Sequence, residues 1–335
     1  MATPKRRVAV TLPASPFVKH TIDRLRWAEE NGYTDGWFAD ASAPDSLTMI
    51  AATARDTTKL RIGIAVTPVY SRTPAVLAAT VNTIGQLLPG RFVMGVGSSS
   101  QTIMDGWHGI PLDKPVTRVK ETVIMMKSML KGEKSDFSLT TLRSHGYRQA
   151  PMENPPPIYI AALQPKMIEM AAEIGDGVIF NLWPKSALRK MIEHVHIGAK
   201  RAGKDGKSVE VVNRSMVLVT NDKKEARNKF RASFAPYYAT PVYNNFLAWS
   251  GFADAAGTIK AGWEAKDRNK TSGALTDALI DEIAIIGDED ECRARMRSDC
   301  DDGIHTHIVA PLAGASPEEV MRTFQAFTPD RFNLG

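Results

Sequence analysis

The chain has 335 residues, of which 43% are hydrophobic, so it is long enough to bury a sizeable core. Its 42 Lys and Arg residues against 37 Asp and Glu residues leave a net charge of +5 that is scattered rather than concentrated. This distribution argues against nucleic-acid binding. No apolar run approaches the roughly eighteen residues that a membrane-spanning helix needs, and the apolar run after the basic start is too short for a secretory signal.

The two cysteines are consistent with a reducing compartment. Cys292 and Cys300 lie about 12 Å apart along one predicted helix, which is too far for a disulfide. A cytoplasmic protein without nucleic-acid or membrane partners is therefore expected.

In chain order, predicted strands alternate with predicted helices. The strands are expected at residues 7–12, 36–39, 61–66, 92–96, 158–162, 177–180, 209–219 and 305–310. The helices are expected at residues 17–31, 44–56, 74–88, 115–131, 165–174, 185–203, 222–235 and 288–302. Eight such units favour the α/β class and a closed (β/α)8 TIM barrel over an open sheet.

Residues 221–280 interrupt this alternation, because they hold many aromatic residues and no clear strand. They predict a helical insertion after the seventh strand, within a single barrel domain that spans residues 1–335. The aromatic side chains either pack on the barrel or form a lid or subunit contact over its mouth.

The third and fourth predicted strands point to a ligand site. Thr67 and Pro68 end the third strand. Thr73 and Pro74 then begin the next helix, because they have the residue types of a helix cap and of the first helical position. The fourth strand ends in Gly97 and the serines Ser98–Ser100. Two neighbouring parallel strands therefore end in polar or bare backbone, which is where α/β folds bind cofactors.

The same block resembles the bacterial luciferase-like family of flavin- and deazaflavin-dependent enzymes. The matching residues are Gly63, Val66, Thr67, Tyr70, Arg72, Pro74, Gly90, Arg91, Phe92, Gly95 and Gly97. Further matches follow in order at residues 108–111, 115–118, 157–162, 165–167 and 175–177. The resemblance thus covers nearly the whole chain, and it rests on the succession of motifs rather than on any one of them.

The resemblance implies cofactor contacts for the ends of the second and third strands. Asp40 would lie against the polar part of a deazaflavin ring, whose hydrogen-bond donors would compensate its desolvation; alternatively, it caps the next helix. Ala65 and Val66 fall where the family carries a non-prolyl cis peptide against the reactive face of the cofactor. Thr67 would donate its hydroxyl near the ring edge, unless it is an ordinary turn residue.

The ends of the fourth and fifth strands are expected to contact the cofactor as well. Ser98 and Ser99 offer hydroxyls, and Ser98–Ser100 replace the polar residue, glycine and acid that relatives commonly have there. Leu163 and Gln164 replace a glycine pair of the relatives, and they open the fifth helix, whose free N–H groups suit a phosphate. Lys166, with Lys185, Arg189 and Lys190, would meet this phosphate and the anionic tail of coenzyme F420.

Substrate contacts are expected from four residues, namely Ser100, Trp107, Asn181 and Trp183, and no catalytic residue is assigned. Sugar-phosphate dehydrogenases of the family carry a histidine and an acid where this chain has Ala41 and Ser100. The chain is therefore unsuited to their acid–base alcohol oxidation. His108 is interpreted as structural, and no histidine pair is accompanied by the further ligands of a metal site.

These expectations converge on an oxidoreductase that transfers a hydride between coenzyme F420 and a small organic substrate. One alternative is a monooxygenase that uses oxygen and reduced flavin mononucleotide (FMN) from a separate reductase. Another is a catalytically silent flavoprotein that binds or stores its cofactor. Members of the family are commonly dimers, so a homodimer is expected.

Overall fold

The computed structural model describes residues 3–40 and 43–334 of the chain. Ala41, at the position of the relatives' catalytic histidine, lies outside the described residues. The strands are β1 Arg7–Leu12, β2 Asp35–Phe38, β3 Arg61–Ile64, β4 Thr67–Pro68, β5 Phe92–Gly97, β6 Asp136–Ser138, β7 Arg143–His145, β8 Ile158–Ala161, β9 Gly177–Asn181, β10 Glu210–Val219, β11 Ile285–Gly287 and β12 Thr306–Pro311.

The helices alternate with these strands. They are α1 Val18–Glu30, α2 Ser46–Ala52, α3 Pro74–Leu87, α4 Pro115–Leu130, α5 Pro165–Ile174, α6 Leu188–Arg201, α7 Lys223–Ala239, α8 Pro241–Trp249, α9 Ala253–Glu264, α10 Arg268–Gly273, α11 Asp277–Ile283, α12 Glu289–Asp301 and α13 Pro317–Gln325. A short π-helical turn occupies Thr102–Trp107. No helix in the described part of the chain is long and apolar enough to cross a membrane.

The main sheet closes on itself. Neighbouring strands pair in the order β10, β12, β1, β2, β3, β5, β8 and β9, and β9 pairs with β10. The predicted (β/α)8 TIM barrel is therefore confirmed, and its strands start and end within two residues of their predicted bounds. Two short strands extend it, since β4 pairs with β5 and β11 pairs with β10.

The described chain is divided into two compact units. The first unit comprises the described residues of Met1–Pro4, Ala9–Ile179 and His194–Val211. It contains the pairings from β1 to β9 and the antiparallel hairpin β6–β7, whose Phe137 packs with Leu142 against Met125 and Met129 of α4.

The second unit comprises the described residues of Lys5–Val8, Phe180–Glu193 and Val212–Gly335 and holds the helices that follow β10. Several aromatic side chains of the predicted helical insertion pack into the core of that unit. Phe230, Phe234, Tyr238 and Phe246 are buried, whereas Tyr237 is exposed. Packing therefore accounts for these four rings.

Candidate functional site

The end of β3 is bent around a cis peptide. The predicted non-prolyl cis bond is present between Ala65 and Val66, and β4 resumes the pairing with β5 immediately afterwards. A Cβ atom at Gly95 would clash with the carbonyl oxygen of Ile64, and one at Gly97 would lie 2.7 Å from Cγ2 of Val66. These two glycines therefore allow the bend to approach β5.

Thr67, the first residue after the bend, carries a polar atom without a partner. Its backbone pairs with Val96, and its side chain is fully buried. Within the described residues, no hydrogen-bond partner lies near its Oγ1 atom. A buried hydroxyl is normally hydrogen-bonded, because burying it unpaired is costly. The predicted contact with a bound ligand would satisfy this hydroxyl, so Thr67 fits a cofactor site.

Asp40 is held by an arginine. The Arg72 guanidinium donates to Oδ2 of Asp40 at 2.7 Å, and the Asp40 side chain is only 11% exposed. Arg72 also pairs with Asp45, which caps α2 by accepting from the backbone N–H of Thr48 at 2.8 Å. The alternative that Asp40 caps this helix is therefore wrong. The compensating donor, expected from the cofactor, is supplied by Arg72.

Two other motif residues connect loops. The Tyr70 hydroxyl donates to the Asp113 carbonyl, and the Arg118 guanidinium lies 5.3 Å from the centre of the Tyr70 ring. Arg118 also donates to the Thr141 carbonyl at 2.7 Å. Sequence reasoning assigned no role to Tyr70 or Arg72. Their place in the Tyr-x-Arg-x-Pro motif was the available signal, and the contacts show that both organise the segment after β4.

The serine segment leads from β5 into the π-helical turn. Ser99 has a left-handed backbone with φ of 65°, and Ser98 Oγ donates to the Ser99 carbonyl at 3.4 Å. Ser100 Oγ accepts from the Ile103 N–H at 3.4 Å and so caps the turn. At its end, Trp107 is 60% exposed. The segment therefore presents partly exposed hydroxyls and an exposed indole.

The start of α5 keeps the features of an anion site. Gln164 is the N-cap residue, and its side chain makes no capping hydrogen bond. Leu163 and Gln164 are partly exposed, and Lys166 is exposed. Free N–H groups and the positive end of the helix dipole favour a phosphate in such a place.

Three of the basic residues expected beside this phosphate have partners in the second unit. Lys185 donates to Ser298 Oγ at 2.8 Å, and Arg189 pairs with Asp302 at 3.0 Å. The Lys190 ammonium lies 4.0 Å from the ring centre of Trp249. Lys166 alone among the four has none of these contacts.

The two predicted substrate residues of the second unit differ in whether they have an unused hydrogen-bonding atom. Trp183 is 3% exposed, and its Nε1 donates to Asn213 at 2.8 Å, so its indole is a core side chain here. Asn181 ends β9 and donates from Nδ2 to the Tyr243 hydroxyl at 2.9 Å. Its Oδ1 is enclosed without a partner among the described residues. Asn181 therefore retains hydrogen-bonding capacity, whereas Trp183 does not.

A closed (β/α)8 barrel with polar groups gathered at the carboxyl ends of its strands has the build of a barrel enzyme. The chain belongs to the luciferase-like monooxygenase family, whose model matches residues 2–306. It is accordingly a luciferase-like oxidoreductase, as the sequence predicted.

Similar proteins include enzymes with different cofactors in their names. A 5,10-methylenetetrahydromethanopterin reductase of Methanolobus tindarius is 26% identical over 93% of this chain and 95% of its own. The coenzyme F420-dependent tetrahydromethanopterin reductase of Methanopyrus kandleri has a TM-score of 0.81 at 18% identity, covering 97% and 98% of the two chains. A type II Baeyer-Villiger monooxygenase of Pseudomonas putida, solved with FMN, has a TM-score of 0.70 at 16% identity over all of both chains. At 18% and 16% sequence identity, these two structures show only that the folds are alike.

Proposed function

We propose that the protein transfers a hydride between coenzyme F420 and a small organic substrate. The observation that carries this proposal is the buried, partnerless hydroxyl of Thr67 directly after the Ala65–Val66 bend. Such a group is stable where a ligand completes its hydrogen bonding. The similarity to reductases named for methylenetetrahydromethanopterin and to one that depends on coenzyme F420 supports the deazaflavin.

The residues of the first unit divide the binding task. Arg72 orients the Asp40 carboxylate through its hydrogen bond to Oδ2, so this carboxylate is held in place to accept hydrogen bonds from the cofactor. Thr67 would complete its hydrogen bonding with the cofactor, and Ala65 and Val66 would support the ring. Ser98 and Ser99 contribute hydroxyls, while Leu163, Gln164 and Lys166 surround the uncapped start of α5, where a phosphate would bind. Coenzyme F420 supplies the hydride chemistry when bound, and the protein contributes orientation.

The second candidate is an FMN-dependent monooxygenase that uses reduced flavin and oxygen. The uncapped start of α5 favours any cofactor with a phosphate, and FMN has one. In either case, Ser100, Trp107 and Asn181 are the proposed substrate contacts. Trp183 is not among them, because it is buried and donates its Nε1 proton to Asn213. A homodimer, a separate cofactor reductase and a cytoplasmic location stay predictions.

The test is a comparison of cofactor affinities of the purified apoprotein. Coenzyme F420 and FMN, each oxidised and reduced, are titrated while fluorescence quenching is recorded. Tight binding of coenzyme F420 supports the proposal, and its failure to bind overturns it. Binding of FMN alone would favour the monooxygenase, to be followed by oxygen consumption with reduced FMN.

Asp40→Ala tests the site itself. This change should weaken coenzyme F420 binding about tenfold or more, because hydrogen bonds to a carboxylate are worth about 1.5–3 kcal/mol. Asp56→Ala is the matched control, since Asp56 also pairs with an arginine, Arg26, at 2.5 Å. If the Asp40→Ala variant and the control bind coenzyme F420 equally tightly, the assignment of Asp40 to the cofactor site is wrong.

A further inference from the structure

Arg214 lies on the inner face of the barrel. Alternate residues of a strand share a face, so Arg214 faces the same side as Glu210, four residues earlier in β10. Glu210 bonds to Arg61 of β3 and to Tyr159 of β8, which reach it across the ring of strands. The even-numbered side chains at this end of β10 therefore point inward, and Arg214 is farther toward the carboxyl end.

Arg214 is a charged group without a countercharge. Among the described residues, no carboxylate pairs with it, and its enclosed Nε lacks a hydrogen-bond partner. The Nη1 atom of Arg214 lies 3.7 Å from Sδ of Met216, which is a weak acceptor. Burial lowers the pKa of Arg214, although the guanidinium stays charged. Arg214 is partly buried, and leaving its enclosed Nε unpaired is costly, so its presence points to a function that needs it.

Tyr243 and Asn181 add a second unused donor. The Tyr243 hydroxyl accepts from Nδ2 of Asn181 at 2.9 Å, so its own proton is available to another acceptor. If the amide is turned around, Asn181 Nδ2 becomes the available donor instead. Burial raises the pKa of Tyr243 to about 12, so the hydroxyl is protonated near neutral pH. Gly177 of β9 lies against the Glu210 carbonyl of the neighbouring β10, so Asn181 and Arg214, each four residues farther along its strand, lie at the same level of the two strands.

We propose that Arg214, Tyr243 and Asn181 bind a carboxylate of the substrate. This inference rests on the proposed function in that it names the substrate class of the same hydride transfer. The planar fork of an arginine matches the two oxygens of a carboxylate, and a tyrosine hydroxyl adds a third donor. One unpaired cation balances the single charge of a carboxylate, whereas a doubly charged phosphate ester would leave a charge unmatched. Active sites of (β/α)8 barrels are built at the carboxyl ends of the strands, where β9 ends in Asn181.

Crotonate and crotonamide provide a matched pair of probes, because they differ in charge but hardly in shape. Their binding to the full chain is measured by calorimetry without any cofactor. The native protein should bind crotonate about tenfold or more tightly than crotonamide. Arg214→Met should abolish this preference, and Tyr243→Phe should reduce it. Arg268→Met, which alters an exposed arginine of α10, should retain it.

The outcomes separate this inference from the cofactor assignment. Equal affinity of the native protein for the two probes, including no binding of either, would overturn the carboxylate site. An unchanged preference in Arg214→Met would do the same. The thermal midpoint of Arg214→Met should be unchanged or raised, since a partly buried charge without a countercharge is removed; a lowered midpoint would contradict the proposal and make Arg214 structural. These outcomes do not depend on whether coenzyme F420 binds, because the probes are tested without any cofactor.

Discussion

At the scale of single residues, Gly95 and Gly97 determine how closely β3 and β5 approach. Gly95 leaves room for the Ile64 carbonyl and Gly97 for the Val66 side chain. From the sequence, this Gly-x-Gly run was interpreted as bare backbone for a ligand. What a missing Cβ faces is decided by a neighbouring strand, so the sequence predicted where glycine is needed but not what it accommodates.

Replacing the hydroxyl of Thr67 by a methyl group separates binding from stability. Thr67→Val should leave the free energy of unfolding of the apoprotein unchanged or raise it, because no described residue bonds to Oγ1. It should also reduce the stabilisation that coenzyme F420 confers. Both effects are measured by urea denaturation with and without the cofactor.

Thr323→Val is the control for this prediction. The buried Thr323 hydroxyl accepts from the Val219 N–H at 3.1 Å and donates to the Glu319 carbonyl at 2.8 Å. Its loss should cost about 1–3 kcal/mol, because bonded groups are left unpaired. If Thr67→Val destabilises the apoprotein as much as this control does, the hydroxyl has a structural partner and the cofactor contact is refuted.

At the scale of elements, a buried ion network joins the starts of four barrel strands. Arg61 at the start of β3 pairs with Asp35 of β2 and with Glu210 of β10, the latter at 2.7 Å. The Tyr159 hydroxyl of β8 donates to Glu210 at 2.6 Å. Burial alone would lower the pKa of Arg61, but the hydrogen bond to Glu210 and both carboxylate charges raise it above its ordinary value. The network holds these strands together at the end opposite the site.

Arg61→Met should destabilise the protein by about 3–5 kcal/mol, because it removes the cation that pairs with both of these buried carboxylates. The measurement is the free energy of unfolding in urea. Arg26→Met is the comparison, since Arg26 is mostly exposed and pairs with Asp56; it should cost less than about 1 kcal/mol. Equal losses in the two variants would show that the network contributes no more than a surface pair.

Elements with a long periodic pattern were predictable, and short ones were not. In α4, predicted at residues 115–131, Val119, Val123 and Met126 are buried at helical spacing. The hairpin β6–β7 and the two-residue β4 are too short for a periodic pattern to emerge. Helix α13 was missed although Ser316 and Glu319 form a capping box, a signal that the sequence displays.

At the scale of the whole molecule, the ring of strands follows from the order of predicted elements, but the side-chain partners do not. Of the residues predicted to contact the cofactor, Lys185, Arg189 and Lys190 belong to the second unit and the others to the first. The partners of Asp40 and Asn181, namely Arg72 and Tyr243, come from segments 32 and 62 residues away. Such pairings depend on the folded chain, so no local pattern revealed them.

Cys292 and Cys300 should report on unfolding of the whole chain. Both thiols are free and buried in α12, and burial raises the pKa of each to about 12. The thiolate is the reactive form, so the native protein should react with Ellman's reagent far more slowly than the unfolded chain. Absorbance in buffer and in guanidinium chloride measures this difference. Rapid reaction of a thiol in buffer would show that α12 opens locally.

The contacts around the Ala65–Val66 bend have a consequence for engineering this catalyst. Side chains cannot be added at positions 95 and 97 without displacing the bend, so diversity introduced there would mostly be lost to misfolded variants. The following serines at 98–100 are partly exposed and face no such restriction. A library confined to those three positions would vary the chemistry of the proposed cofactor site while leaving the bend intact. The barrel thus separates a part that tolerates little variation from one that can adapt to new substrates.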